Sequence, residues 1–369
     1  MKNEIKNTMF VAGGGTGGHL FPALTIGKCL ENQGVNIIYI GSKFGIEKDY
    51  YINNNIKSKL LNIKGIQRSF TFNGLVDNLY FPIRFMKSYF ESIKLIKKYK
   101  PIAIIATGGY SSGMPLLAGL KMEIPTFIQE QNSVPGIVTK SLYKKVNYTF
   151  VAYDYTKKLL NNSNILLSGN PIRENLKSIN KEKAKVNLGL DINKKTIFIL
   201  GGSQGSSSFN EHIYRNIDFY ANNRFQIYLQ CGKKNYSNIS KKMKNHTNII
   251  VKEFIDNISM VYSASDIVIS RSGALAISEL CYFKKAMILI PFKYAAKNHQ
   301  MLNAQSIEKE QACILINEDD LKIGKLEESL DLLFDSPGKI KQLEENSNKI
   351  SYKNSTSVIT EKIKEIAYG

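Results

Sequence analysis

Two stretches of this chain share one grammar, and that repetition constrains the fold more than any other feature. TMFVAGGGTGGHLFPAL (8–24) and TIFILGGSQGSSSFNEHI (196–213) each read as a short apolar run, a glycine-rich loop and a segment with helical spacing. The apolar runs are continuous rather than alternating, so both faces of each strand are buried. Parallel sheets covered by helices follow. Similar runs predict strands at 8–12, 36–40, 102–106, 125–129 and 148–152 in the first half. The second half has them at 196–200, 226–230, 249–251, 266–270, 286–290 and 312–316. The fold class is therefore α/β, with two doubly wound Rossmann-like domains whose parallel sheets face a central cleft. The polar segment NNSNILLSGNPIRENL (161–176) is read as the junction, with domains expected at 1–167 and 168–349.

Composition narrows the function classes. Hydrophobic residues make up 43% of the 369 positions. The longest apolar runs, IAIIA (102–106) and AMILIPF (286–292), are far shorter than the ~18 residues of a membrane span. MKNEIKN does not read as a signal peptide, so a cytoplasmic protein is expected. The cysteines at 29, 231, 281 and 313 form no CxxC, and the four histidines form no HExxH, so neither a metal site nor a cofactor is expected. The net charge of +19 is spread along the chain. Nucleic-acid binding would need basic residues interleaved with aromatics on a recognisable module, and none is present.

GGGTGGH (13–19) contains GxGxxG as Gly13, Gly15 and Gly18. A dinucleotide site also wants an acid at the end of the second strand, but NIIYI ends in Gly41-Ser42 and Glu31 precedes it. No Lys-Ser or Lys-Thr follows the glycines, so a P-loop fails too. What remains is an anion held by backbone amides at a helix N-terminus, with His19 titratable beside it. TGGYSSG (107–113) repeats the pattern. The next strand ends in Gln129, Glu130, Gln131 and Asn132, which sugar hydroxyls or a polar loop turning at Pro135-Gly136 would satisfy. VISRSGALAISEL (268–280) places Glu279 near a helix start, and PFKYAAKNHQMLNAQ (291–305) puts Gln300 and Asn303 on one helical face.

Seven motifs in order carry a resemblance over nearly the whole length: GGTGGH (14–19), GGYSSG (108–113), EQNSVPG (130–136), GNPIR (169–173), GGSQG (201–205), RSGALAISE (271–279) and HQMLNA (299–304). The chain resembles the MurG family of peptidoglycan N-acetylglucosaminyltransferases. That resemblance implies a GT-B fold with a final helix, 350–369, packing back on the first domain. It implies an inverting, metal-independent transfer of N-acetylglucosamine from UDP-GlcNAc to the muramyl 4-hydroxyl of lipid I. By motif, Ser203 and Gln204 would meet the donor diphosphate with Arg173, and Ile255 would hold the uracil. Ala274, Leu275, Ala276, Ile277, Ser278 and Glu279 would line the nucleotide, with Glu279 on the ribose. Gln300 and Asn303 would hold the sugar, and Thr16, Gly17, Gly18 and Asn132 would complete the pocket. Gly15, Gly109 and Tyr110 would lie on the acceptor side. Position 276 is Ala where the family commonly has Thr, which predicts weaker donor binding. His19 is the first choice of base and Glu130 the second. A different GT-B enzyme, a diacylglycerol glycosyltransferase or a UDP-GlcNAc epimerase, is the alternative.

A lipid acceptor requires an anionic membrane surface, on the cytoplasmic face of the plasma membrane, and leaves cell-wall assembly proteins open as further partners. LVDNLYFPIRFMKSYFESIKLIKKYK (75–100) suits the surface role. Leu79, Ile83, Met86, Phe90 and Ile93 are read as the core stripe of a helix. Phe81, Phe85 and Tyr89 form a second row, and Arg84, Lys87, Lys94 and Lys98 a basic flank. Leu79, Phe81, Arg84, Phe85 and Lys87 are the expected membrane contacts.

Overall fold

The computed structural model describes residues 7–65, 78–202, 204–222 and 224–369. The chain divides into two compact units, Met1–Arg173 with Tyr352–Gly369, and Glu174–Ser351. The division expected at 167/168 thus differs from the observed one, and GNPIR stays with the first unit.

The first unit is built on a seven-stranded sheet in the order β3-β2-β1-β4-β5-β6-β7. Its strands are β1 (Thr8–Ala12), β2 (Asn36–Ser42), β3 (Ser58–Leu61), β4 (Ala103–Ala106), β5 (Thr126–Glu130), β6 (Tyr148–Val151) and β7 (Ile165–Leu167). All neighbours are parallel. The second unit has six strands in the order β10-β9-β8-β11-β12-β13, again all parallel. These are β8 (Thr196–Leu200), β9 (Gln226–Gln230), β10 (Ile249–Lys252), β11 (Ile267–Ser270), β12 (Ala286–Leu289) and β13 (Cys313–Leu315). The central strands are buried along their whole length, as their uninterrupted apolar runs require.

Two strands were not legible. β3, SKLL, is too short and polar to stand out, and β7, ILL, lies inside the Asn/Ser-rich segment read as a junction. Pairing with β2 and β6 supplies the missing order.

Among the helices, α1 (Gly17–Asn32) follows β1, α2 (Ile46–Asn53) follows β2, and α3 (Phe81–Tyr99) precedes β4. α4 (Tyr110–Lys121) follows β4, and α5 (Ile137–Leu142) follows β5. α6 (Asp154–Leu160) lies between β6 and β7. In the second unit α7 (Lys181–Leu188) precedes β8, α8 (Ser207–Arg215) and α9 (Ile217–Tyr220) follow it, and α10 (Tyr236–Met243) follows β9. α11 (Ile258–Ala264) precedes β11, α12 (Ala274–Tyr282) follows it, and α13 (His299–Lys309) precedes β13. α14 (Lys325–Asp335) and α15 (Pro337–Lys349) complete that unit. The last helix, α16 (Ser355–Tyr368), returns to the first unit. Its Ile359 and Ile363 enter the core beside Leu20, Ile26 and Phe150, and Thr360 meets Cys29 of α1 at 3.7 Å.

α3 corrects the sequence reading. Leu79, Ile83, Met86 and Phe90 were expected to form its core stripe, yet they are 78%, 52%, 48% and 54% exposed. The buried face instead carries Ser88, Ser92 and Ile96, with Phe85, Tyr89 and Ile93 half-buried against Met114 and Ala118 of α4. Small serines let the two helices approach closely, so they take the inside. Spacing identified two apolar rows but could not say which one faced in. No described helix is long and apolar enough to cross a membrane.

Candidate functional site

In a doubly wound sheet, ligands bind beyond the carboxyl ends of the strands where the order reverses. Here the reversals fall between β1 and β4, and between β8 and β11. The loops that leave those four strands are GGGTGG, TGGY, GGSQG and RSG. Topology therefore gathers the sequence motifs at one sheet edge within each unit.

In the first unit the two loops cross backbone to backbone. A Cβ on Gly109 would lie 2.1 Å from the Gly14 carbonyl oxygen, so no side chain fits there. A Cβ on Gly14 would lie 2.2 Å from the Glu47 carboxylate. Glu47, on the first turn of α2, is completely buried. It accepts the Gly15 N–H at 2.7 Å and the Ser42 N–H at 2.9 Å. The acid missing from the end of the second strand is therefore present five residues later, and it binds the loop rather than a ribose. The signal was GSKFGIE (41–47), an acid just after a strand-ending glycine turn. Much of the glycine content accommodates this packing, while Gly18, at the start of α1, is open: a Cβ there would have nothing nearer than Thr16 Oγ1 at 3.7 Å.

His19, in the first turn of α1, is half-buried. Its Nδ1 lies 3.0 Å from the Thr107 carbonyl oxygen and 2.9 Å from Gln131 Oε1. Tyr110 begins α4 with its ring edge against Gly15. Burial, and then the Glu47 charge, push its phenol pKa up.

Glu130 does not suit the role of second base. Its carboxylate accepts the Gly136 N–H at 2.8 Å, the Thr139 hydroxyl at 2.6 Å and the Asn132 N–H at 3.1 Å. It is buried and committed to closing its own loop. The row of polar residues ending β5 is bonded internally, and Asn132 is its half-buried member. Gln129 donates to Asn170 Oδ1 at 3.0 Å, and Asn170 donates to the Gln131 carbonyl at 3.1 Å. Arg173, just beyond, is half-buried.

In the second unit GGSQG crosses the loop after β9. A Cβ on Gly205 would lie 2.0 Å from the Cys231 carbonyl oxygen. Ser203 lies outside the described residues, and Gln204 is exposed. The Ser206 and Ser208 hydroxyls lie 3.0 and 2.8 Å from Arg271 Nη2, and Ser208 also donates to Glu318. Arg271 pairs with Glu318. Burial raises the Glu318 carboxyl, but the hydrogen bonds from Arg271 and Ser208 outweigh it and hold the group below its usual range. Arg271, read from sequence only as part of a turn, thus places a cation beside the GGSQG loop.

Gln230 links the GGSQG loop to Ile255. It donates to the Gly202 carbonyl at 2.8 Å and accepts the Ile255 N–H at 3.1 Å. Glu279, half-buried on α12 with Leu275, Ala276 and Ser278, accepts the phenol of Tyr262 at 3.2 Å; Ala274 and Ile277 of the same helix are buried. Asn303 is fully buried and donates to the Ser272 carbonyl at 3.2 Å, so it supports the RSG turn. Gln300 is half-buried and its Oε1 accepts the Phe292 N–H at 2.9 Å. Among the described residues no cluster of three His, Cys, Asp or Glu could hold a metal ion.

Comparison with known proteins agrees with this arrangement. Residues 9–151 match the glycosyltransferase family 28 N-terminal domain, and residues 196–362 match the family 28 C-terminal domain. A UDP-N-acetylglucosamine--N-acetylmuramyl-(pentapeptide) pyrophosphoryl-undecaprenol N-acetylglucosamine transferase of Flavobacterium psychrophilum is 37% identical, covering 96% of both chains. The protein of the same name from Bacillus subtilis is 32% identical over 92% of this chain and 94% of its own. The crystal structure of Acinetobacter baumannii MurG superposes with a TM-score of 0.77 at 22% identity, covering 98% of this chain and 99% of that one. This chain belongs to the MurG family of N-acetylglucosaminyltransferases, built on two glycosyltransferase family 28 domains of GT-B type.

Proposed function

We infer that the chain converts lipid I to lipid II, moving N-acetylglucosamine from UDP-GlcNAc to the muramyl 4-hydroxyl, with His19 as the base. The observation that supports His19 is its ring, held through Nδ1 beside the glycine loop, so that Nε2 is the ring nitrogen left to take the hydroxyl proton. The hydroxyl proton passes to Nε2 as the oxygen attacks the anomeric carbon from the face opposite UDP. The glycosidic C–O bond breaks, and UDP leaves with the electron pair. Developing charge on the diphosphate is met by backbone amides at the GGSQG loop and the N-terminus of α8. Such contacts are worth roughly 0.3–1 kcal/mol each, and up to about 2 when partly buried. Thr16, Gly17, Gly18 and Asn132 serve the substrates from the first unit, with Gly109 and Tyr110 on the acceptor side. Arg173, Ser203, Gln204, Ile255, Glu279 and Gln300 serve the donor. Since the Ile255 N–H is already engaged, its carbonyl is the group left for uracil. The residue-level test is transfer of labelled N-acetylglucosamine to a short-chain lipid I analogue with EDTA present. Undiminished incorporation is expected; loss that added Mg²⁺ restores would refute a metal-independent mechanism.

Glu279→Ala is expected to raise KM for UDP-GlcNAc about tenfold or more, because hydrogen bonds to a charged group are worth about 1.5–3 kcal/mol. Unchanged KM would remove Glu279 from the donor site.

The exposed stripe of Leu79, Ile83, Met86 and Phe90, flanked by Lys87 and Lys94, suits a peripheral contact with an anionic leaflet. Arg84 lies over the rings of Phe44 and Tyr80 at 5.4 and 6.0 Å, at the end of that stripe. Each basic side chain contributes about 1 kcal/mol near such a surface. Ile83→Ser/Phe90→Ser with Lys87→Glu is expected to abolish co-sedimentation with phosphatidylglycerol vesicles while leaving thermal unfolding unchanged. Parent-like sedimentation would place the membrane contact elsewhere.

A further inference from the structure

We propose that Gln131 is a positioning residue for the transfer, holding His19 as the tautomer protonated on Nδ1 so that Nε2 carries the lone pair. The proposal rests on the reading of His19 as base and assigns the atom that takes the proton. A glutamine amide can face a histidine with either end, and the two ends demand opposite tautomers. Here the choice is made by what surrounds the other end. Gln131 Nε2 donates to the Thr107 carbonyl at 2.8 Å, the Gln129 carbonyl at 2.9 Å and Gln129 Oε1 at 2.5 Å. All three are acceptors, so the NH₂ group must point there and Oε1 is left for the ring. Oε1 lies 2.9 Å from His19 Nδ1, and the Thr107 carbonyl lies 3.0 Å from the same nitrogen. Two acceptors at Nδ1 require a hydrogen on it. A neutral imidazole has one N–H, so Nε2 is bare.

The support behind Gln131 is itself anchored. The side chain is buried. Asn170 donates to the Gln131 backbone carbonyl at 3.1 Å, and the Asn170 backbone carbonyl accepts the Ser355 hydroxyl of α16. A neutral amide also orients the ring without a negative charge that would favour the imidazolium. A carboxylate in the same place would set that charge beside the ring. The ionisable side chains on the surrounding elements are Glu47, Tyr110 and Glu130. Glu47 is bound to Gly15 and Ser42, Glu130 to Gly136 and Thr139, and Tyr110 stands against Gly15.

The experiment uses the full chain labelled with ¹⁵N-histidine. Long-range ¹H–¹⁵N correlation distinguishes the two neutral tautomers, and only four histidines need assignment. His19 is expected to show the Nδ1–H pattern. Gln131→Glu is expected to move the acid limb of kcat/KM up by about 1–3 pH units, the effect of an opposite charge beside the ring. Gln131→Met is expected to lower kcat while KM for UDP-GlcNAc holds. An Nε2–H pattern in the parent protein, which needs no variant to fold, would overturn the assignment while leaving His19 as base. An unmoved acid limb in folded Gln131→Glu would overturn it as well. An Nδ1–H pattern combined with a fully active His19→Ala protein would instead refute the base reading, and with it any catalytic meaning of the orientation.

Discussion

His19→Ala is expected to lower kcat by roughly 10²–10⁴-fold, the usual contribution of a positioned general base. Saturable binding of UDP is expected to persist, because His19 lies in the first unit and most of the proposed donor contacts, Arg173 apart, lie in the second. The ring is only half-buried, and the Thr107 carbonyl it meets keeps the Gln131 amide as a donor. The fold should survive, and near-parent thermal unfolding would confirm that the loss is chemical. Single-turnover transfer to a lipid I analogue measures the step directly. Near-normal turnover from the folded variant would remove His19 as base, and Glu130 could not replace it, given its commitments to Gly136 and Thr139.

Glu47→Ala is expected to have the largest effect on stability. Its carboxylate accepts the buried Ser42 N–H and the half-buried Gly15 N–H, and no other described side chain replaces it there. Each orphaned amide costs about 1–3 kcal/mol. At roughly 2–4 °C per kcal/mol for a unit of this size, the first unit should melt many degrees lower. Activity should fall too, since the loop carrying Thr16 and His19 loses its fixed conformation at Gly15, where φ is +84°. Glu47→Gln keeps the size but offers one acceptor to two donors, and an intermediate effect is expected. A parent-like melting temperature in Glu47→Ala would show that the loop is held by other contacts.

Much of this protein was legible before its structure. The eleven strands read from apolar runs all exist, and the central ones stood out most because a strand buried on both faces must be apolar throughout, whatever its partners. The glycine motifs announced themselves because backbone crossings such as Gly109 on Gly14 and Gly205 on Cys231 tolerate no side chain. What could not be read has a common cause. Glu47, Gln131 and Arg271 act on groups remote in sequence, 32, 112 and 47 residues away for Gly15, His19 and Glu318. No local spacing encodes such pairs. For the same reason nothing in the sequence showed that Glu130 and Asn303 are bonded to their own surroundings. The polarity was visible, and its satisfaction was not.

α3 makes the same point through packing. The sequence by itself determined that two apolar rows run along one amphipathic helix. Only the tertiary structure decided that Ser88 and Ser92 turn inward and that Ile83, Met86 and Phe90 turn out, because close approach to α4 favours small side chains over large ones. Likewise, order along the chain displayed the glycine-loop motifs one by one. Strand order, β1 beside β4 and β8 beside β11, brought the loops of each pair together beyond the carboxyl ends of the strands, where a doubly wound sheet offers its helix N-termini.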